Sequence, residues 1–219
     1  MVKSDIINKI LEDKIIVIMR GLTTEQAVKT VEAMSAGGIS LVEITFDQSG
    51  RIPLEKTAED IKTLCRRFSD RVLIGAGTVM TAAQVDLAYG AGAKFIISPD
   101  TNREVIERTG ELGMVSIPGA FTPTEAAQAY RYGADFVKLF PNGEVKLSYL
   151  KALMLPLSHI RFLAVGGVND KNIREYLDAG VCGFGIATGI VNKQMIASEN
   201  YDGITGLAKL YCSAVHNGG

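Results

Sequence analysis

The stretch RFLAVGGVNDKNIREYLDAGVCGFGIATG (161–189) decides the fold. A short apolar run, RFLAV (161–165), ends in the pair Gly166-Gly167. A helix-length segment follows, closes on Gly180 and gives way to a second apolar run, VCGFGI (181–186). Each run is too short for a helix and apolar at consecutive positions. That is the pattern of a parallel strand buried on both faces. Two such runs with a helix between them form a βαβ unit.

The unit recurs upstream in IIVIM (15–19), LVEIT (41–45), VLIGA (72–76), KFIIS (94–98), MVSIP (114–118) and DFVKLF (135–140). Helical segments separate most of these runs. In PLEKTAEDIKTLCRRF (53–68), Leu54, Ala58, Ile61, Leu64/Cys65 and Phe68 fall three or four apart and form one apolar stripe. Capping boxes at Thr23…Gln26, Thr81…Gln84 and Thr122…Glu125 open helices, with Pro123 at the first helical position. Asn169 is placed to cap the helix after the seventh strand. Glycines at 37–38, 90/92, 113, 133 and 180 suit the left-handed residue that ends a helix. Eight alternating strands are the number that closes an α/β (β/α)8 TIM barrel, and a doubly wound open sheet is the alternative. The expectation is a single domain over residues 1–219. Ser4–Asp13 would form an extra N-terminal helix plugging the barrel bottom, and NKQMIASENYDGITGLAKLYCSAV (192–215) would supply the last helix.

Composition excludes several classes. With 219 residues, a formal net charge of −1 and 47% hydrophobic residues, the chain is neither disordered nor built for nucleic acid. The longest uncharged stretch, AGVCGFGIATGIV (179–191), is too short and glycine-rich to span a membrane, and MVKSDIINKILEDK (1–14) lacks a signal-peptide core. Three scattered cysteines (Cys65, Cys182, Cys212) fit a reduced, cytoplasmic setting. The two histidines, His159 and His216, read as surface residues, and no zinc-ligand spacing exists. GAGTVM (75–80) and GFGIAT (183–188) fail as dinucleotide fingerprints, and no Walker A is present. The sequence therefore calls for no metal and no cofactor.

Two strands carry a charge inside an apolar run: Lys138 in FVKLFP and Glu43 in LVEIT. A buried charge is expensive unless paired or functional. Among Phe136, Leu139 and Phe140, a desolvated Lys138 would hold enough neutral amine to attack a carbonyl, and a nearby carboxylate could move the protons. A structural Lys138–Glu43 ion pair, or a lysine snorkelling out at the strand end, is the bland alternative. Gly166-Gly167 after the seventh strand, and Gly185, Ala187 and Thr188 after the eighth, stand where barrels hold phosphate. Arg20, Thr45 and Thr78 place polar groups at the ends of the first three strands. Arg20 suits a carboxylate through its planar fork.

In order and spacing, LVEIT, GAGTV, ISPD, IPGAFTPTE, KLFP and GGV resemble the motifs of the 2-keto-3-deoxy-6-phosphogluconate (KDPG) / 4-hydroxy-2-oxoglutarate aldolase family across residues 6–215. The resemblance implies a metal-free, Schiff-base (class I) carbon–carbon lyase on a barrel. It implies a cytoplasmic homotrimer of Entner–Doudoroff-type carbohydrate metabolism, acting on a small, phosphorylated 2-keto acid. It casts Lys138 as the Schiff-base residue and Glu43 as general acid/base. Thr78 would contact the pyruvate carboxylate and Arg20 would face the substrate acid. Pro99 and Phe140 would wall the pyruvate methylene, and Gly166, Gly167 and Thr188 would hold the phosphate. Two positions depart from the family pattern. Asp47 stands four residues after Glu43, where many members have Arg, and Val165 precedes the glycine pair, where many have Thr.

The expected reaction is cleavage of KDPG to pyruvate and glyceraldehyde 3-phosphate, with 4-hydroxy-2-oxoglutarate as a further substrate giving pyruvate and glyoxylate. Two other readings stay open. One is a phosphosugar isomerase or epimerase that uses Glu43 as base without a covalent adduct. The other is a non-catalytic barrel that binds a phosphorylated metabolite.

Overall fold

The structure is a computed structural model that describes residues 1–216. Each apolar run becomes a strand: β1 (Ile15–Met19), β2 (Leu41–Thr45), β3 (Leu73–Gly77), β4 (Phe95–Ile97), β5 (Val115–Ile117), β7 (Val137–Leu139), β8 (Phe162–Val165) and β9 (Gly183–Ile186). One short addition, β6 (Gly119–Ala120), continues β5 beyond Pro118. Proline has no N–H and interrupts the ladder there. Its carbonyl still accepts from the Lys138 amide at 2.8 Å. All pairings are parallel in the order β5-β4-β3-β2-β1-β9-β8-β7-β6. The two ends of that order are joined through Pro118, so β5 and β6 act as one strand and the ring closes with eight. This is the (β/α)8 barrel, and the open sheet is excluded.

Strand alternation sorts the core into two sets. Val17, Val42, Ile74, Ile96, Val137, Leu139, Ala164 and Phe184 point outward and pack under the helices. Ile16, Leu41, Leu73, Phe95, Ile97, Val115, Ile117, Phe136 and Leu163 fill the barrel interior. The leading helix α1 (Lys3–Asp13) adds Ile6 and Ile10 to this inner set, so it is the expected plug. Lys3 pairs with Asp135 at 2.9 Å, and the Lys14 carbonyl just past the helix accepts from Phe184 N at 2.6 Å.

The outer helices are α2 (Thr24–Ala36), α3 (Leu54–Arg67), α4 (Ala82–Gly90), α5 (Arg103–Glu111), α6 (Pro123–Arg131), α7 (Leu147–Met154), α8 (Ile173–Asp178), α9 (Lys193–Ala197) and α10 (Tyr201–His216). The α3 stripe is buried at Ile61, Leu64 and Phe68 as its spacing requires. The last helix closes the outer ring on α2, with Thr205 Oγ1 donating to Ala33 O at 2.9 Å. Among the described residues no helix is long and apolar enough to cross a membrane. His159 is exposed and packs edge-on against Tyr130, and His216 is exposed at the chain end.

Three local expectations change. Asn169 does not cap α8: its Oδ1 takes the N–H groups of Lys171 and Asn172 in a preceding turn, and the regular helix starts at Ile173. The Thr81 box is only half formed, because Gln84 turns its side chain to Met80 N instead of Thr81 N. Leu139 belongs to the outward set, so Lys138 is desolvated from inside the barrel and not by Leu139.

Candidate active site

Glu43 shares a face of β2 with Leu41, and Lys138 of β7 points the same way as Phe136 just before that strand. Both charged side chains therefore stand on the inner wall, one layer above the apolar filling. Their residues are 3% and 7% exposed. Burial pushes the Glu43 carboxyl up to about 7, with Lys138 and Arg20 pulling the other way. Burial pushes the Lys138 amine down, opposed by Glu43, reinforced by Arg20 and opposed again by Asp100. The environment thus drives both groups toward their neutral forms. Such a pair holds a nucleophilic amine beside a group that exchanges protons near neutrality.

Close backbone approach makes the room. A Cβ on Gly77 of β3 would overlap Oε1 of Glu43, so only glycine lets the carboxylate lie against that strand. Its second oxygen, Oε2, is buried without a hydrogen-bond partner. The Phe140 ring lies 4.8 Å from Lys138 Nζ and keeps water off one side of the amine.

Arg20 and Thr78 are brought together. Arg20 Nη2 donates to Thr78 Oγ1 at 3.2 Å, and both line a cleft of about 520 Å³ with Thr45, Asp47, Arg51 and Lys193. Thr78 has φ of 53°, a left-handed conformation that a β-branched residue rarely takes and that recurs at functional sites. Asp47 does not point to a substrate role. Its carboxylate takes the N–H groups of Ser49 and Ile52 and the Ser49 hydroxyl, which shapes the loop after β2 and holds its pKa down at about 2. Pro99 sits at the end of β4, its carbonyl so close to Gly119 that a Cβ there would strike it.

The glycine pair turns sharply, with φ of 99° at Gly166 and 70° at Gly167, which favours glycine at both. Asn142, buried after β7, braces this turn by donating from Nδ2 to Gly166 O at 2.9 Å and to Tyr176 Oη at 3.0 Å. Ala187 and Thr188 are exposed in the turn that ends β9. Gly185 departs from the expectation. It lies within β9, where Val165 and Ile18 occupy the space a side chain would need, so it sets strand packing rather than a loop beyond the strand.

Sequence reading passes over Asp100, Asn142 and Gln48, and gives Gln84 only a helix-capping part. Asp100 ends the ISPD motif; burial raises its carboxyl, and its Oδ1 is buried without a partner. Its position beside the Pro99 turn was the available signal. Among the described residues no cluster of three His, Cys, Asp or Glu side chains could hold a metal ion.

Comparisons with known proteins show the family. The model of the family "KDPG and KHG aldolase" matches residues 6–207. A 2-dehydro-3-deoxy-6-phosphogalactonate aldolase of Escherichia coli is 33% identical over 202 residues, covering 92% of this chain and 96% of its own. A 2-dehydro-3-deoxy-phosphogluconate aldolase of Haemophilus influenzae is 32% identical, covering 93% of each. A solved KDPG aldolase of Legionella pneumophila, with pyruvate captured as a covalent carbinolamine, superposes with a TM-score of 0.81 at 32% identity, covering 90% of this chain and 93% of that one. A polar layer over a dry barrel floor, found on a chain with this match, leads to one assignment: the protein belongs to the KDPG and KHG aldolase family of carbon–carbon lyases.

Proposed function

We propose that this protein cleaves a 2-keto-3-deoxy-6-phospho sugar acid to pyruvate and glyceraldehyde 3-phosphate through a Schiff base on Lys138, and that it also takes 4-hydroxy-2-oxoglutarate, giving pyruvate and glyoxylate. The observation that carries this reading is an inward-facing lysine, 7% exposed, in the same layer as a buried carboxyl with a pKa near 7. Arg20 and Thr78 take the substrate carboxylate and set C2 against the Lys138 nitrogen. The neutral amine adds to C2, and the carbinolamine loses water to give the iminium. Glu43 then accepts the C4 hydroxyl proton while the C3–C4 bond breaks. Its electron pair moves toward the iminium nitrogen, leaving an enamine and releasing the aldehyde. Glu43 returns a proton to C3, and water adds to free pyruvate and the amine. Holding amine, carboxyl and anchored acid together lowers the barrier by positioning.

Pro99 and Phe140 flank the pyruvate methylene. Gly166, Gly167, Ala187 and Thr188 receive the phosphate, and Gly185 fixes the approach of β9 to β8 below them. The family resemblance extends the reading to a cytoplasmic homotrimer, checked by sedimentation at three times the chain mass. Borohydride added with pyruvate should leave a stable pyruvate adduct on Lys138, read by peptide mass. Aldol cleavage without any such adduct would favour a non-covalent use of Glu43. Kinetics on the gluconate, galactonate and hydroxyoxoglutarate substrates rank the acids it accepts.

A further inference from the structure

The half-formed Thr81 box points to a role for two glutamines. Gln84, 3% exposed at the start of α4, would ordinarily return its side chain to Thr81 N. Instead its Oε1 accepts from Met80 N at 2.7 Å, and its Nε2 donates to Gln48 Oε1 at 3.3 Å. Gln48, in the loop after β2, donates from Nε2 to the carbonyl of Thr78 at 2.7 Å. Thr78 Oγ1 in turn receives Arg20 Nη2 at 3.2 Å. The chain of contacts runs from a buried helix start, across one loop, to the strained residue that Arg20 touches. Its loop is already fixed, because the Asp47 carboxylate ties the neighbouring Ser49 and Ile52 amides. A peptide in the left-handed region needs outside support to persist, and Gln48 supplies it at the Thr78 carbonyl.

We propose that Gln48 and Gln84 form an amide relay that positions Thr78 and Arg20 to receive the carboxylate of the substrate's 2-keto acid end. The proposal rests on the reading that Arg20 and Thr78 bind that carboxylate. Both glutamines are positioning residues, since they act through Thr78 and touch no reacting atom. The relay serves only the acid end of a ketone. Losing it therefore weakens ketones that carry a carboxylate and spares those that do not.

Borohydride trapping on Lys138 with two ketones, pyruvate and acetone, separates these effects. Gln48→Met keeps the side-chain length and removes the donor. It should raise the pyruvate concentration for half-maximal trapping by about 5-fold, the loss of one neutral hydrogen bond, and leave that for acetone unchanged. Arg20→Met should raise the pyruvate value by about 10-fold or more, as a charge-assisted contact requires. Gln84→Met should lose the same preference, and the double variant should be no worse than either single one. If Gln84→Met does not fold, Gln84→Glu replaces it, keeping the acceptor for Met80 N and losing the donor to Gln48. Equal weakening of both ketones in Gln48→Met, or a retained pyruvate preference, overturns the relay. Additive losses in the double variant overturn the coupling of the two glutamines. An Arg20→Met protein that still prefers pyruvate as wild type does overturns the carboxylate assignment itself. Loss in Arg20→Met with no loss in Gln48→Met overturns the relay alone.

Discussion

The lower and upper layers of the barrel interior come from the same strands and behave as opposites. On β2, Leu41 below and Glu43 above are two residues apart; at β7 the pair is Phe136, just before the strand, and Lys138 within it. The lower layer is apolar, stoppered by Ile6 and Ile10, and contributes stability by burial. The upper layer carries two ionisable groups that the same burial drives toward neutrality. One physical cause, exclusion of water, thus stabilises the first layer and gives the second the neutral groups that the proposed chemistry needs.

The sharpest way to break this contrast is Lys138→Met. It should lower kcat/KM by more than about a thousandfold, since the covalent step disappears, while thermal unfolding shows equal or higher stability because a buried amine is exchanged for an apolar isostere. Full activity in that variant would end the Schiff-base scheme.

Glu43→Gln should reduce turnover by about 100-fold or more through loss of proton transfer. It should also change stability with a definite sign. The wild-type carboxyl binds its proton more tightly folded (about 7) than at its ordinary 4.5, so its contribution to folding is present below 4.5 and is lost as pH rises through 7. Glutamine has no such loss. Denaturant titrations should show the variant gaining on wild type by about 3 kcal/mol between pH 4.5 and 8. A constant difference across that range would contradict a raised carboxyl.

Gly77→Ala places a methyl group where the Glu43 carboxylate lies. Turnover should fall about 100-fold, as displacement by an ångström does, with borohydride trapping on Lys138 still detectable. An unchanged turnover number would show that the carboxylate need not rest against β3.

The smallest effect on chemistry comes from the lower layer. Phe136→Ala should cost about 3–5 kcal/mol of stability. In the folded fraction it should shift the acid limb of the kcat/KM profile to higher pH, because water reaching the amine restores its basicity. An unmoved limb would separate the two layers energetically.

What the sequence disclosed follows the same division. The eight strands and the Lys138–Glu43 layer are legible because strands buried on both faces read as continuous apolar runs, in which a charge is conspicuous. The break at Pro118 was visible as a residue in MVSIP, yet the continuation β6 was not, because two residues carry no periodic signal. The outward place of Leu139 is not legible, because a run buried on both faces does not show which side faces the barrel interior. Gly185 reads as a loop residue in the sequence because glycine marks both turns and tight strand packing. The Gln84 side chain departs from its capping motif because its Oε1 takes Met80 N, one residue before the cap, while its Nε2 reaches Gln48, 36 residues away. Local patterns cannot announce a partner brought near by the pairing of neighbouring strands β2 and β3.

The stopper helix carries one consequence for any survey of mutants scored by turnover. Without α1 the underside of the apolar filling would face solvent, and loosening of that filling would let water approach the amine from beneath. Substitutions at Ile6 and Ile10, which lie in the filling below the reacting layer, should therefore register as catalytic defects. A map of activity would then mark residues at both ends of the molecule, although bonds are made at only one.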